Sequence, residues 1–323
     1  MLFAVELPTW QPHPEVWALL AAMIGLGFYA VRVIGPKVVP EGEEIVTKRQ
    51  KRAFGAAVFL LYVAADWPMH DIAEEFLYSV HMVQHLLITF VVPPLLMLAI
   101  PTWLARLVIL EGGIVSDVLQ RLAKPVVAGV IFNALAAFTH WTAVVNFSAE
   151  SGGFHYVLHV AIFTSALLMW LPVIGPLPEL RLSQGGRLIY LFLMSLIPTI
   201  PAAWLTFADG TVYSAYENPV RLWGVGIIAD QQAAGGIMKI LGGFYLWTWI
   251  GVLYFRWAGR AERANRPGPG SANGRRPEDR ARAEAAQRAA AMLAKNDLDA
   301  DSELTYEAVQ AQFAESGPPP QES

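Results

Sequence analysis

The stretch from Tyr78 to Pro101, YSVHMVQHLLITFVVPPLLMLAIP, constrains the fold more than any other part of the chain. It contains no Asp, Glu, Lys or Arg, and as a helix it is long enough to cross the hydrocarbon core of a bilayer. It opens with His81 and His85, four residues apart. On a helix these share one face, about 6 Å apart along the axis. Two imidazoles entering hydrocarbon are costly without partners, so the pair points to a functional site. The bland alternative is a pair of interfacial histidines facing headgroups.

Six further apolar runs cover about 16–34, 53–65, 125–141, 154–173, 188–205 and 233–255. With 55% hydrophobic and 15% charged residues, the chain reads as an all-α polytopic membrane protein, a bundle of seven transmembrane helices. Pro93-Pro94 is expected to kink or split the third span, and Pro198 and Pro201 the sixth. A short interfacial helix is expected over 104–110 and a loop over 146–153. Segments 1–15, 66–79, 146–154 and 207–231 contain a single basic residue, Arg221, whereas 35–52, 101–124, 174–187 and the region after 256 hold most of the others. That alternation predicts an N terminus outside and a C terminus in the cytoplasm. Segment 1–15 is an extracytoplasmic start without the basic region of a signal peptide, and 16–257 is the membrane domain. Residues 258–323 form a charged, largely disordered cytoplasmic tail, with a linker at 268–277 and a solvated helix from 278 to about 295.

With this topology all seven histidines fall on the outer side. His155 and His159 repeat the four-residue spacing on the fifth span, and His140 ends the fourth. The chain has no cysteine, so a metal must use His, Met, carboxylate or backbone oxygen. The expected metal residues are His81, His85, His155, His159, His140, Met82, Asp230 and Met238. Imidazole and thioether together suit copper, and zinc remains an alternative. His140 reads equally as a satisfied interfacial histidine, and Asp230 as a cap on the last helix or as a carboxylate that orients an imidazole. His13 and His70 read as loop residues, with Met69-His70 a docking point for copper.

HMVQHLLITFVVPPLLMLAIP resembles the signature of the polytopic cytochrome c oxidase assembly factor family, CtaG of the Gram-positive type. Three further stretches share the resemblance: His155–His159 with Trp170-Leu171-Pro172 and Gly175-Pro176; Arg187-Leu188-Ile189-Tyr190 with Pro198; and Asp230 to Met238 (DQQAAGGIM). It covers roughly residues 50–257. It implies a multi-pass protein of the bacterial cell (inner) membrane that helps to mature a haem–copper oxidase at the copper stage. The implied partners are oxidase subunits and other copper chaperones, with no small-molecule turnover and no nucleic acid. Lys239 departs from the family pattern, which has an aromatic there, and is expected to snorkel outward or to pair with Asp230 or Glu217. Two other functions compete. A haem-binding electron carrier would use paired histidines as axial ligands but leaves the duplicated spacing unexplained. A metal or proton transporter would need an ionisable path through the inner halves of the helices, which offer Asn133, Thr89, Ser165 and Ser195 instead.

Overall fold

The computed structural model describes residues 8–218, 220–265 and 281–288, and these residues form helices joined by turns, without strands. The chain divides into two units, 1–258 and 259–323. In the second, 281–288 is helical, inside the expected solvated helix, whereas the linker at 268–277 lies outside the described residues.

In the first unit, α1 is Pro14–Val38, α2 Lys48–Ala65, α3 Met69–Phe76 and α4 Tyr78–Ala99. Two short helices follow, α5 at Thr102–Ile109 and α6 at Ile114–Leu122. Next come α7 at Pro125–Thr139, α8 at Thr142–Glu150 and α9 at Gly152–Ile174. The order ends with α10 at Gln184–Leu196, α11 at Thr199–Thr206 and α12 at Ile227–Asn265. Among the described residues, five segments are long and apolar enough to cross a membrane, and up to seven if two bent pairs each count as one span. The bent pairs are α2 with α3, at 46°, and α6 with α7, at 75°.

The helix boundaries follow local chemistry. Thr47 and Gln50 form a reciprocal capping box that starts α2 five residues before its apolar run, so Lys48 to Arg52 are helical. Proline at the first turn starts α1 and α7, where its missing N–H costs nothing. Pro198 separates α10 from α11, as expected of a proline inside an apolar run. The expected loop at 146–153 is largely helix, because α8 runs on to Glu150.

Of the two outcomes expected at Pro93-Pro94, a kink or a split, the split does not occur: α4 is neither divided nor ended there. Leu87–Val91 opens into a wider π-helical turn, and α-helix resumes at Val92 with both prolines in its first turn. Such a turn is a known way to carry a helix past missing amides. The inner layer of α4 (Ile88, Phe90, Val92, Leu96, Met97) packs on Trp170, Met169 and Leu246. α4 is thus the central helix of the bundle, and two-thirds of its span is buried, the largest share among the five unbroken spanning segments.

A second close approach joins α11 to α12. A side chain at Gly235 would collide with Thr206 and with the Ala202 carbonyl, so only glycine lets these backbones meet. This contact holds the start of α12 beside the segment 207–226, which lies against the histidine-bearing ends of α4 and α7.

Candidate metal centre

His81 and His85 occupy the second and third turns of α4, and His155 and His159 the same turns of α9. Both pairs point at the same place. The ring centroids of His81 and His85 are 4.5 Å apart, those of His155 and His159 4.3 Å, and those of His81 and His159 5.5 Å. One ring nitrogen from each of His81, His85 and His159 lies within 4.8 Å of the other two. The helix ends that carry them are therefore at one end of the bundle, and the two four-residue spacings meet in one cluster.

His140, at the C-terminal end of α7, stands 6.2 Å from His85 between ring centroids. Its Nδ1 donates to the Ala136 carbonyl at 2.6 Å, which fixes the tautomer and leaves the Nε2 lone pair free. Metal-binding imidazoles are commonly oriented in this way. Among the described residues five buried histidine ring nitrogens have no hydrogen-bond partner; His155 Nε2 has the Glu74 carboxylate 3.0 Å away, and the other four are His81 Nδ1, His85 Nε2, His140 Nε2 and His159 Nε2. A buried polar nitrogen without a partner costs about 1–3 kcal/mol, so four in one cluster call for a shared ligand. Neutral imidazole nitrogens suit copper or zinc, and the donor set fits such an ion.

The thioethers and the carboxylate named from sequence fall differently. Met82 and Met238 line a cavity of about 60 Å³ together with His85 and His140, on the side of the cluster away from His155. Asp230 is fully buried, but both its oxygens are engaged elsewhere. It accepts from the backbone N–H of Tyr78 at 2.8 Å, from that of Ser79 at 3.1 Å and from the Ser79 hydroxyl. Asp230 therefore caps the first turn of α4 from another helix, where a carboxylate is favoured by the helix dipole. The cap expected of Asp230 is thus made on α4 and not on its own helix. Lys239 is exposed, in keeping with a cation that snorkels outward, and it donates to Thr199 Oγ1 at 2.6 Å rather than pairing with Asp230 or Glu217.

Segment 207–226 covers the cluster. Gln231 holds it by accepting from Val212 and Tyr213 amides and donating to the Tyr213 carbonyl. Tyr213 donates its hydroxyl to the His140 carbonyl at 2.8 Å, and Tyr216 donates to the Ala73 carbonyl at 3.1 Å. Burial pushes the Tyr213 hydroxyl up to about 12, so it remains a donor at any physiological pH. Tyr78 stacks on His81 at 5.4 Å beneath both tyrosines.

His13 and His70, read from sequence as loop residues, belong to the same array. His13 packs edge-on against His70 at 4.6 Å, and His70 lies 6.4 Å from His155. All seven histidines thus form one continuous chain of rings, from His13 through His70 and His155 to His140. Gln84, between His81 and His85 in sequence, donates to His70 Nδ1 at 3.1 Å and to the Ala64 carbonyl at 2.8 Å. With Nδ1 accepting, the His70 proton sits on Nε2, which is 3.0 Å from Glu74 Oε1. The same oxygen is 3.0 Å from His155 Nε2. The sequence held a signal for this side of the array: His70 and Glu74 show the same four-residue spacing as the two histidine pairs.

A family model described as "Cytochrome c oxidase caa3 assembly factor" matches residues 16–260. The chain is also 27% identical over 199 residues to uncharacterized proteins of Mycobacterium bovis and Mycobacterium tuberculosis, a match covering 56% of this chain. It spans 30% of the length of each of these relatives. No solved structure matches the chain.

Proposed function

The chain belongs to the cytochrome c oxidase caa3 assembly factor family, and from this we propose that it holds copper in the histidine cluster and delivers it to an oxidase subunit during maturation. The observation that carries the copper step is the convergence of four buried, unpartnered imidazole nitrogens on one end of the bundle. In this reading His81, His85 and His159 hold the ion, and His140 closes the set from α7. Met82 and Met238 line the cavity on the far side, where soft thioethers would receive Cu(I) on its way out. The role is one of binding and transfer rather than turnover.

The membrane arrangement is part of the same proposal. Counting each bent pair as one span gives seven crossings, and the distribution of Lys and Arg then puts the histidine end outside and the C terminus in the cytoplasm. That is the side on which a copper centre facing the outside would be filled. Oxidase subunits and other copper chaperones are the partners of this reading, and the bacterial cell membrane its location.

Purified protein in detergent tests the proposal by elemental analysis for Cu, Zn and Fe together with a visible spectrum. About one copper per chain, absent from a His81→Ala/His155→Ala double variant, supports it. A Soret band in place of copper points to haem and overturns it.

A further inference from the structure

The larger cavity of this end of the bundle, about 420 Å³, has a wall unlike the rest of the molecule. Its histidine and carboxylate lining is His13, Glu15, His70, Glu74, His155 and His159, joined by Gln84 and Tyr156, and the remainder is mainly aliphatic. Glu15, Gly152 and Gly153 at its rim are exposed, whereas His155 within it is buried. The cavity therefore leads from solvent to the edge of the histidine cluster.

Glu74 occupies the decisive position in it. A single carboxylate oxygen stands 3.0 Å from His70 Nε2 and 3.0 Å from His155 Nε2, so one oxygen and two imidazole nitrogens converge from two helices, α3 and α9, with Gln84 of α4 holding His70 by a hydrogen bond. His13 backs His70 and is itself held 2.8 Å from Asp71 Oδ1 and 3.4 Å from Glu15 Oε1. Each aromatic member is fixed by a second contact, and the group faces the cavity instead of packing against lipid. His155 belongs to both groups: its ring is 4.3 Å from His159 and 5.4 Å from His81.

We propose that Glu74, His70 and His155 form a loading station for a soft or borderline metal cation, distinct from the holding site at His81, His85 and His159, and that the 420 Å³ cavity is its port. The proposal rests on the reading of the central cluster as a metal site. The carboxylate supplies the charge that draws a hydrated cation into an otherwise aliphatic cavity. The two imidazoles replace part of its water shell, His70 doing so at Nε2 once the Nε2 proton has moved through water to Nδ1 and the Gln84 hydrogen bond to Nδ1 has been released. His155 then passes the ion inward by exchanging one neighbour for another: the bonds to Glu74 and His70 break as bonds to His159 and His81 form. The oxidation state is unchanged, and any proton displaced from a ring nitrogen leaves through the cavity to water. Two carboxylates, Glu15 and Glu74, line the cavity and none stands among the three holding histidines, which makes the direction of loading inward.

The test is the rate of Cu(I) uptake by the full-length protein in detergent, followed by the bleaching of a coloured Cu(I) chelate, with final stoichiometry read by elemental analysis. Glu74→Gln and His70→Gln, made separately, should each slow uptake about tenfold, the lower end of the gain that charge steering gives to association. Both should reach the wild-type stoichiometry. Asp117→Asn, an acidic residue outside the cavity, should load at the wild-type rate. Wild-type rates in both cavity variants overturn the loading station while leaving the holding site intact. Equal slowing in Asp117→Asn overturns it as a general charge effect. A wild-type protein that takes up no Cu(I) overturns the central reading, and the port with it.

Discussion

Trp170 donates its indole N–H to the backbone carbonyl of Thr89 across 3.0 Å, and that carbonyl is one the chain itself cannot satisfy. In an α-helix the Thr89 carbonyl would accept from residue 93, and in a π-turn from residue 94, but both are proline. The indole fills that place from α9. The same two helices carry the paired histidines, so the bond locks the elements that build the site about two turns below it.

Trp170→Phe keeps most of the ring volume and removes the donor. It should lower stability by about 1–3 kcal/mol, the cost of leaving a buried carbonyl unpaired. Thermal unfolding in detergent measures this, and an unchanged midpoint would show that water or a shifted helix takes the place of the indole.

Asp230 reaches across from α12 to cap α4, and removing it leaves the Tyr78 and Ser79 amides buried without an acceptor. Asp230→Ala should cost about 2 kcal/mol through the lost cap and its charge-assisted bonds. Because Tyr78 stacks on His81, the variant should also bind copper more weakly while keeping its stoichiometry. Loss of the metal with full retention of stability would instead make Asp230 a ligand. The two readouts, unfolding midpoint and copper affinity, separate these cases.

Gly235 tests the packing that holds the cover segment 207–226 in place. Gly235→Val must push α12 from the Ala202 carbonyl and Thr206, and a rigid backbone contact cannot give. The expected outcome is a loss of folded protein, or a fall of about 1–3 kcal/mol in stability. Gly236→Ala, a neighbour with open space around it, should be tolerated. Equal effects of the two variants would remove the close contact from the account.

Much of this was legible in the sequence, and the limits are instructive. The apolar runs and the spacings of His81 with His85 and His155 with His159 announce helices and a shared face, because both signals are local. The identity of Asp230 as the cap of α4 is a contact between residues 152 positions apart, and no periodicity encodes it. Pro93-Pro94 signals a break, yet a π-turn and Trp170, 81 positions from Thr89, supply what the prolines remove. His13 and His70 sit in short polar segments that look like loops. Only the fold brings their rings to His155.

Copper binding should also depend on acidity. An imidazole must be unprotonated at the nitrogen that ligates, so protons compete with the ion. An exposed imidazole gains its proton near pH 6.5, and burial resists that proton. Affinity should therefore hold through the neutral range, fall in strong acid and recover when the pH is restored. A profile that stays flat even in strong acid would point away from histidine ligation and towards the thioethers of Met82 and Met238.

The measurement that bears most directly on the central claim is copper per chain in wild type and in the His81→Ala/His159→Ala double variant, both loaded with Cu(I) and washed under the same conditions. The cluster geometry predicts about one tightly held copper in the wild type and none in the variant, with both proteins folded. A folded wild type without copper, or a double variant that holds as much as the wild type, would contradict it.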